Sequence, residues 1–267
     1  MYDFLNNFLN SNYFDKLPKY ISRRIFKIFK VFFVETNFKS LPDNNHPNII
    51  NEEKQNKIVK KNTELFDKPF NTCPYLLEIL AVYNSFSKKI KILDFGANNI
   101  DNFVYLKKYL KNLQYIYHDL PENNSIIEKL IKKNNLDDIK VATDVANIDE
   151  DLDFAFFGSS IHYVKDYKII LEKIFKKKIK YLIFSHTPFY KSINNDKDIV
   201  MKQVNIHPII NYAYLIELNN FLKFMDDNGY NLISSSKNNL IKFLNFKNFK
   251  NFNFIAFLDL VFIAKNK

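Results

Sequence analysis

Glycine is almost missing from this chain: of 267 residues, only Gly96, Gly158 and Gly229 are glycine. Tryptophan is absent, cysteine occurs once as Cys73, and arginine stands only at Arg23 and Arg24. Each shortage excludes something. A single cysteine rules out an internal disulfide framework and a cysteine-based zinc site, and makes the cytoplasm the default compartment. Two arginines leave few bidentate forks for phosphate. That weakens the nucleic-acid reading invited by a net charge of +10 and a pI near 9.3. The uncharged stretches fall short of the roughly 18–20 residues that cross a bilayer. The most apolar of them, Asn251–Ala264, is interrupted by Asp259. No positive, apolar and small-residue sequence of a secretory leader opens the chain.

What is abundant is phenylalanine (28), tyrosine (16) and asparagine (37). With 47% hydrophobic residues the chain can bury a sizeable core. The joint Lys, Asn, Ile and Phe enrichment is general, so no function is read from it.

Pro18 precedes a helical pattern from Lys19 to about Val34. Ile21, Ile25, Ile28, Phe29 and Phe32 share one face, and Lys19, Arg23, Lys27 and Lys30 the other. Such a basic amphipathic helix either packs its stripe on its own domain or rests on anionic lipid at the inner face of the membrane. Residues Glu35–Asn51, with Pro42 and Pro47, read as a linker. Residues 1–50 are therefore expected to form a helical arm and linker, and 51–267 the main domain. Helices are expected over 51–66 and 72–87.

From residue 90 apolar runs alternate with amphipathic segments, the pattern of βαβ units. Strands are predicted at Ile90–Phe95, Tyr115–His118, Ile139–Ala142, Phe154–Phe157, Tyr181–Phe184, Tyr230–Ser234 and Phe254–Ala264. Helices are predicted at 102–110, 125–134, 166–175 and 219–228, the last closed by Gly229. The fold class is α/β: a doubly wound, mostly parallel, seven-stranded sheet with a helical N-terminal extension.

In such a sheet, ligands bind beyond the carboxyl ends of the strands. Polar and ionisable residues stand there after every parallel strand: Asp94 and Gly96, His118 and Asp119, Asp144, Ser159 to Tyr163, and Ser185 to Phe189. A glycine turn after the first strand, with an acid ending the second, suits a ribose-containing cofactor. Ala97, Asn98, Asn99 and Ile100 stand where a pyrophosphate loop would carry glycine. A cofactor without phosphate, S-adenosylmethionine, therefore fits better than a dinucleotide. His162 and His186 follow the fourth and fifth strands, and imidazole suits removing a proton from an acceptor hydroxyl. Tyr163, Phe189 and Tyr190 are placed to shape an acceptor pocket. The histidines show no metal-ligand spacing, and neither a P-loop nor a nucleophile elbow is present.

Several segments occur together and in order: Glu64–Asp67 with Pro74–Leu77, Leu93–Gly96, Asp119–Pro121, Ser159–Tyr163, Thr187–Phe189 and Phe221–Ile233. Over roughly residues 50–235 the chain resembles Rossmann-like, class I S-adenosylmethionine-dependent methyltransferases. Among these it looks like a bacterial family associated with cell-surface polysaccharide genes. The resemblance implies that Asp94 and Gly96 line the methionine end and that Asp119 holds the ribose hydroxyls. It also implies that Asp144 sits by the adenine amino group and that Ser159 and Ser160 border the sulfonium. It implies methyl transfer to a small acceptor, a hydroxyl of a sugar or surface-polysaccharide precursor. The chain departs from the family at Ala97 and Ile100, where glycines are usual, and at Ser185-His186, where an acidic-basic pair is usual. A nucleic-acid methyltransferase and a non-catalytic member with a degenerate cofactor loop stay open as alternatives. The lysines of Lys173–Lys180 precede the fifth strand, away from the expected site, which argues against nucleic acid. The sequence sets no oligomeric state.

Overall fold

A computed structural model describes residues 2–29, 31–43, 53, 89–148, 151–192, 197–204, 206, 209–238, 246, 248–249, 252 and 254–265. The helices expected over 51–66 and 72–87, Cys73, and the Glu64–Asp67 and Pro74–Leu77 segments lie outside the described residues.

The elements run in order α1 (Tyr2–Leu9), α2 (Asn12–Asp15), α3 (Lys19–Phe29), β1 (Phe33–Glu35), β2 (Ile90–Phe95), α4 (Asp101–Tyr109) and β3 (Leu113–His118). They continue with α5 (Pro121–Asn134), β4 (Ile139–Val141), β5 (Phe154–Gly158), α6 (Tyr167–Lys176), β6 (Tyr181–Lys191), β7 (Ile199–Gln203) and β8 (Asn211–Glu217). The chain closes with α7 (Leu218–Asp227), β9 (Tyr230–Lys237) and β10 (Phe254–Ala264).

All seven predicted strands are present. Their order across the main sheet is β4-β3-β2-β5-β6-β10-β9, parallel throughout except for β10. The parallel strands are covered on both faces, which is why they read as continuous apolar runs: β2 is buried at five of six positions and β3 at five of six. One face packs Leu171 and Ile174 of α6 and Phe221 and Met225 of α7 against Leu182, Phe184 and Phe262. The other packs Phe103 and Leu106 of α4 and Ile127 and Leu130 of α5 against Ile92, Tyr115 and Ile139.

Local chemistry sets the helix ends. Pro121 opens α5, where its missing N–H costs nothing. Asn135 closes α5 in the left-handed region at φ 51, a role glycine usually fills. The Glu217 carboxylate caps α7 by accepting the Asn220 N–H at 2.7 Å. Gly229 follows that helix at φ +85, as expected of it.

The structure corrects three readings. The basic helix ends at Phe29, not Val34, because Phe33–Glu35, in a β-branched and aromatic stretch, pairs with β7 as strand β1. On α3, Ile28 is 72% exposed, so the apolar stripe is only partly covered. Strand β6 runs past Phe184 to Lys191, paired along its whole length with β10. Strands β7 and β8, absent from the sequence reading, form an antiparallel hairpin (β7 with β8) whose β8 lies parallel to the far end of β6. The N-terminal segment is tied to this annex by Lys202, 3% exposed, whose ammonium donates to the Leu9 carbonyl and to Asp15 at 2.6 Å.

Candidate functional site

Strand β2 lies between β3 and β5, and the chain leaves towards β3 and β4 before returning to β5. This makes the carboxyl ends of β2 and β5 the switch point of the sheet, the place where open α/β sheets bind ligands. Gly96 follows β2 at φ +65, and a Cβ there would lie 2.4 Å from the Ser160 Cβ. The Ser160 hydroxyl donates to the Phe95 carbonyl at 2.7 Å. The loops after β2 and β5 are therefore in direct contact, and only glycine permits it.

The rest of the first loop is turned by asparagine. Asn98 has φ 57, in the left-handed region that asparagine tolerates best after glycine. Its N–H donates to Asp119 Oδ2 at 2.5 Å. The Asn99 side chain accepts the Asp101 N–H at 2.8 Å, a turn of the chain just before α4. The N–H groups of Gly96 and Ala97 both donate to the His118 carbonyl, at 2.8 and 3.2 Å.

Asp119 follows β3, half-buried. Its Oδ1 accepts the Leu120 N–H at 2.7 Å, and its Oδ2 also accepts the Tyr117 hydroxyl at 3.2 Å. A carboxylate has about four acceptor positions, so room for a further donor remains. Beside it the His118 ring stacks on Phe95, with centroids 4.7 Å apart. Burial lowers the His118 pKa, against the pull of Asp119 and Asp144. Its Nδ1 is buried with no partner among the described residues.

The other predicted cofactor residues are placed differently. The Asp94 carboxylate is buried beneath the loop, accepting from the Tyr115 hydroxyl and from Asn102 Nδ2 at 3.0 Å. Burial pushes its pKa up to about 6, with those two hydrogen bonds opposing. Asp144 caps the short 3-10 turn Val145–Asn147 through the Ala146 N–H at 2.9 Å. That bond lowers its pKa. Ser159 sits at φ 54, its N–H donating to the Ser185 carbonyl at 2.8 Å.

Of the two candidate bases, His162 lies in the short turn after β5 and His186 within β6. His162 is fully buried, and neither ring nitrogen has a partner among the described residues. Burial, then His186, hold its pKa well below the usual value, so it is neutral. His186 is partly exposed and stacks on Phe257 at 4.2 Å. Its backbone is left-handed, at φ 50.

That conformation has a cause the sequence reading missed. In the β6–β10 register Phe184 faces Leu260 and Thr187 faces Leu258. Two residues of β6, Ser185 and His186, thus oppose Asp259 alone, forming a bulge. Asp259, 1% exposed, accepts the Ser185 hydroxyl and the His186 N–H, both at 2.8 Å. Asn238, just beyond β9, donates to both Asp259 oxygens at 2.8 and 2.9 Å. The signal was available: Asp259 is the one charge in an apolar strand, and a buried charge must have partners.

The lysine-rich segment Lys173–Lys180 lies at the end of α6 and the amino end of β6, the opposite edge from these loops. Lys177 there donates to the Ala146 and Ile148 carbonyls at 2.8 and 2.7 Å.

No family model matches the chain. No curated protein matches it. Solved structures do match in shape. The cyclase SpnF aligns over 72% of this chain and 81% of its own at 8% identity, with a TM-score of 0.52. The N-terminal domain of EvdMO1, solved with S-adenosylhomocysteine, aligns over 82% of this chain and 99% of its own at 10% identity, with a TM-score of 0.49. The Burkholderia thailandensis 1,6-didemethyltoxoflavin-N1-methyltransferase, solved with its substrate and S-adenosylhomocysteine, aligns over 80% and 87% at 11% identity, with a TM-score of 0.46. At these identities the likeness is one of fold. The fold is α/β, a doubly wound and mostly parallel sheet, and SpnF shares it.

Proposed function

We propose that the chain is an S-adenosylmethionine-dependent methyltransferase acting on a hydroxyl of a small acceptor, with a glycosyl acceptor as the first class to test. The observation that carries this reading is the meeting of Gly96, Asn98, Asp119, Ser159 and Ser160 at the switch point. The residues suit the cofactor in two respects. The Gly96–Ser160 contact leaves no Cβ over the end of β2. The Asp119 carboxylate retains an acceptor position for ribose hydroxyls. Bound S-adenosylmethionine would supply a methyl group on a sulfonium. His118, Asp144 and Ser159 border the same edge, and Asp94 supports the loop from below. His186, at the carboxyl side of the sheet and partly exposed, is the base for the acceptor hydroxyl. His162 is buried in the turn after β5.

One observation favours a second reading, a non-catalytic member of the same fold. The N–H groups of Gly96, Ala97 and Asn98 are all engaged within the protein. Titration calorimetry separates the two. Wild type is expected to bind S-adenosylmethionine, and Asp119→Asn, which keeps an oxygen for the Asn98 amide, to bind it at least tenfold more weakly. Transfer of labelled methyl to a panel of sugar and other hydroxyl acceptors then defines the class. A folded wild type that binds no cofactor would leave the non-catalytic reading standing.

The peripheral membrane contact is a separate proposal, favoured by Tyr20 at 68% and Ile28 at 72% exposure on the basic helix α3. Its check is co-sedimentation of the full chain with anionic vesicles, beside a Tyr20→Glu/Ile28→Glu variant.

A further inference from the structure

We infer that the acceptor of this site is borne by a membrane: a hydroxyl on the polar head of an amphiphile whose apolar tail stays in an anionic bilayer. The inference deepens the methyl-transfer reading, and rests on it and on the membrane contact of α3.

The exposed apolar side chains are unevenly placed. Among the described residues, four large ones are more than two-thirds exposed: Phe4 at 79%, Tyr13 at 81%, Tyr20 at 68% and Ile28 at 72%. All four stand on α1, α2 and α3. Single apolar residues scattered over a surface are ordinary, whereas a group confined to consecutive helices marks a contact face. On α3, Tyr20, Arg24 and Ile28 follow at steps of four, which sets them on one face, and Arg24 is exposed as well. Ile25, on the inner side, packs in the cluster of Leu9, Phe14 and Val204.

Charge selects the kind of surface. From residue 2 to 29 the sequence has five basic residues, Lys16, Lys19, Arg23, Arg24 and Lys27, against Asp3 and Asp15. Both arginines of the chain are among them. Asp15 is already bound by Lys202. Basic residues interleaved with exposed aromatic and aliphatic side chains suit anionic lipid, which receives both, better than nucleic acid.

These helices are fixed to the end of the molecule that holds the site. Lys202 donates to the Leu9 carbonyl and to Asp15. Gln203 accepts the Tyr163 hydroxyl at 3.1 Å. Val204 packs in the α3 cluster. Three consecutive residues after and within β7 thus join the helices to the 3-10 turn Ile161–Tyr163. That turn begins directly after Ser160, which lies against Gly96. The lysine-rich end of α6 is at the opposite edge. A bilayer resting on α3 therefore meets the carboxyl edge of the sheet, and a head group at its surface is presented to the site.

In the reaction, the acceptor oxygen bonds to the methyl carbon of the sulfonium donor. The carbon–sulfur bond breaks with its electron pair left on sulfur, and the hydroxyl proton passes to His186. The tail takes no part in the chemistry. It keeps the head at the interface, where surface density replaces bulk concentration.

The test has two arms, both with the full chain and vesicles of phosphatidylcholine and phosphatidylglycerol. For orientation, a nitroxide is attached at Leu120→Cys, beside the site, or at Lys178→Cys, at the opposite edge, each with Cys73→Ser. A lipid bearing chelated nickel relaxes the label nearer the bilayer. Relaxation is expected to be several-fold greater at Leu120 than at Lys178, and equal or reversed values overturn the inference whatever the activity. For the acceptor, a panel of hydroxyl head groups is offered with labelled S-adenosylmethionine, each on an octadecyl chain in vesicles and as its soluble methyl form. The vesicle form is expected to be methylated at least tenfold faster. Tyr20→Glu/Ile28→Glu should lose that advantage and keep its rate on the soluble form and its S-adenosylmethionine affinity. A soluble form methylated as fast, an advantage that survives in the variant, or no transfer to any vesicle-borne head by a chain that binds cofactor and vesicles overturns the inference. A chain that binds S-adenosylmethionine but no vesicles removes the membrane contact and the inference with it. A chain that meets the bilayer by its carboxyl edge yet binds no S-adenosylmethionine keeps the orientation and removes the methyl-transfer reading.

Discussion

The Asn98 N–H is held 2.5 Å from the Asp119 carboxylate, so the loop after β2 and the end of β3 form one unit. The bond needs Asn98 in its left-handed conformation. A left-handed backbone costs an ordinary L-residue roughly 1–2 kcal/mol, and asparagine and glycine less. Asn98→Gly is expected to stay within about 0.5 kcal/mol of wild type in urea unfolding, and Asn98→Ala to lose about 1 kcal/mol. Cofactor titration should follow the same order. Equal stability of the two variants would show that the φ value at this position does not matter.

Gly96 meets the other wall of the site. An added Cβ would lie 2.4 Å from the Ser160 Cβ, and the backbone is left-handed as well. Gly96→Ala is expected to cost about 1–3 kcal/mol, the usual range for overpacking, and to abolish cofactor binding. Two causes act here, and a double mutant separates them. Gly96→Ala combined with Ser160→Gly removes the collision but not the φ penalty, so it should recover part of the stability. A double mutant no better than the sum of the singles would rule out the steric cause.

These two loops mark what the sequence made legible and what it hid. The order of apolar runs was enough for every strand of the main sheet, because buried parallel strands carry their pattern in consecutive residues. Gly96 and Asp119 marked the loop proposed for the cofactor, and the structure brings the two ends of that loop together. Its lack of further glycine looked like a defect, whereas Asn98 takes the left-handed position and the Asn99 side chain accepts the Asp101 N–H ahead of α4. The annex was hidden because β1 and β7 pair across 168 residues at Val34–Lys202, which no local pattern records. Asp259 and Asn238 were hidden for a similar reason. A lone acid in a strand announces a buried partner, but only the β6 bulge reveals which one.

Asp94 gives stability a defined dependence on pH. Its pKa in the fold is about 6 against 3.8 in the unfolded chain, because burial disfavours the charged form. The unfolded chain therefore gives up this proton first as pH rises. The contribution is fully present below about pH 4 and lost as pH passes through about 6, and a shift of this size is worth roughly 3 kcal/mol. Asp94→Asn cannot ionise, and rotation of the Asn102 amide lets it offer an oxygen in return. Relative to wild type, the variant should gain stability between pH 4 and pH 7. Parallel stability curves over that range would show that Asp94 is not titrating in the fold.

His162 should act in the opposite direction. It is fully buried, its ring nitrogens lack partners, and its pKa lies well below the ordinary value of 6.5. The unfolded chain gains a proton as pH falls below 6.5 while the fold does not. Stability is therefore present above that pH and lost as pH falls through the folded value. His162→Phe and His162→Leu remove the titrating ring but keep an apolar side chain, and should flatten the acid side of the stability curve below pH 6.5. The same variants divide the labour between the two histidines. A ring that no acceptor can reach does not take a proton from one, so both variants should retain methyl transfer within a fewfold of wild type, while His186→Ala should lose it. Loss of transfer in folded His162→Leu, with cofactor binding intact, would place the base at His162 instead.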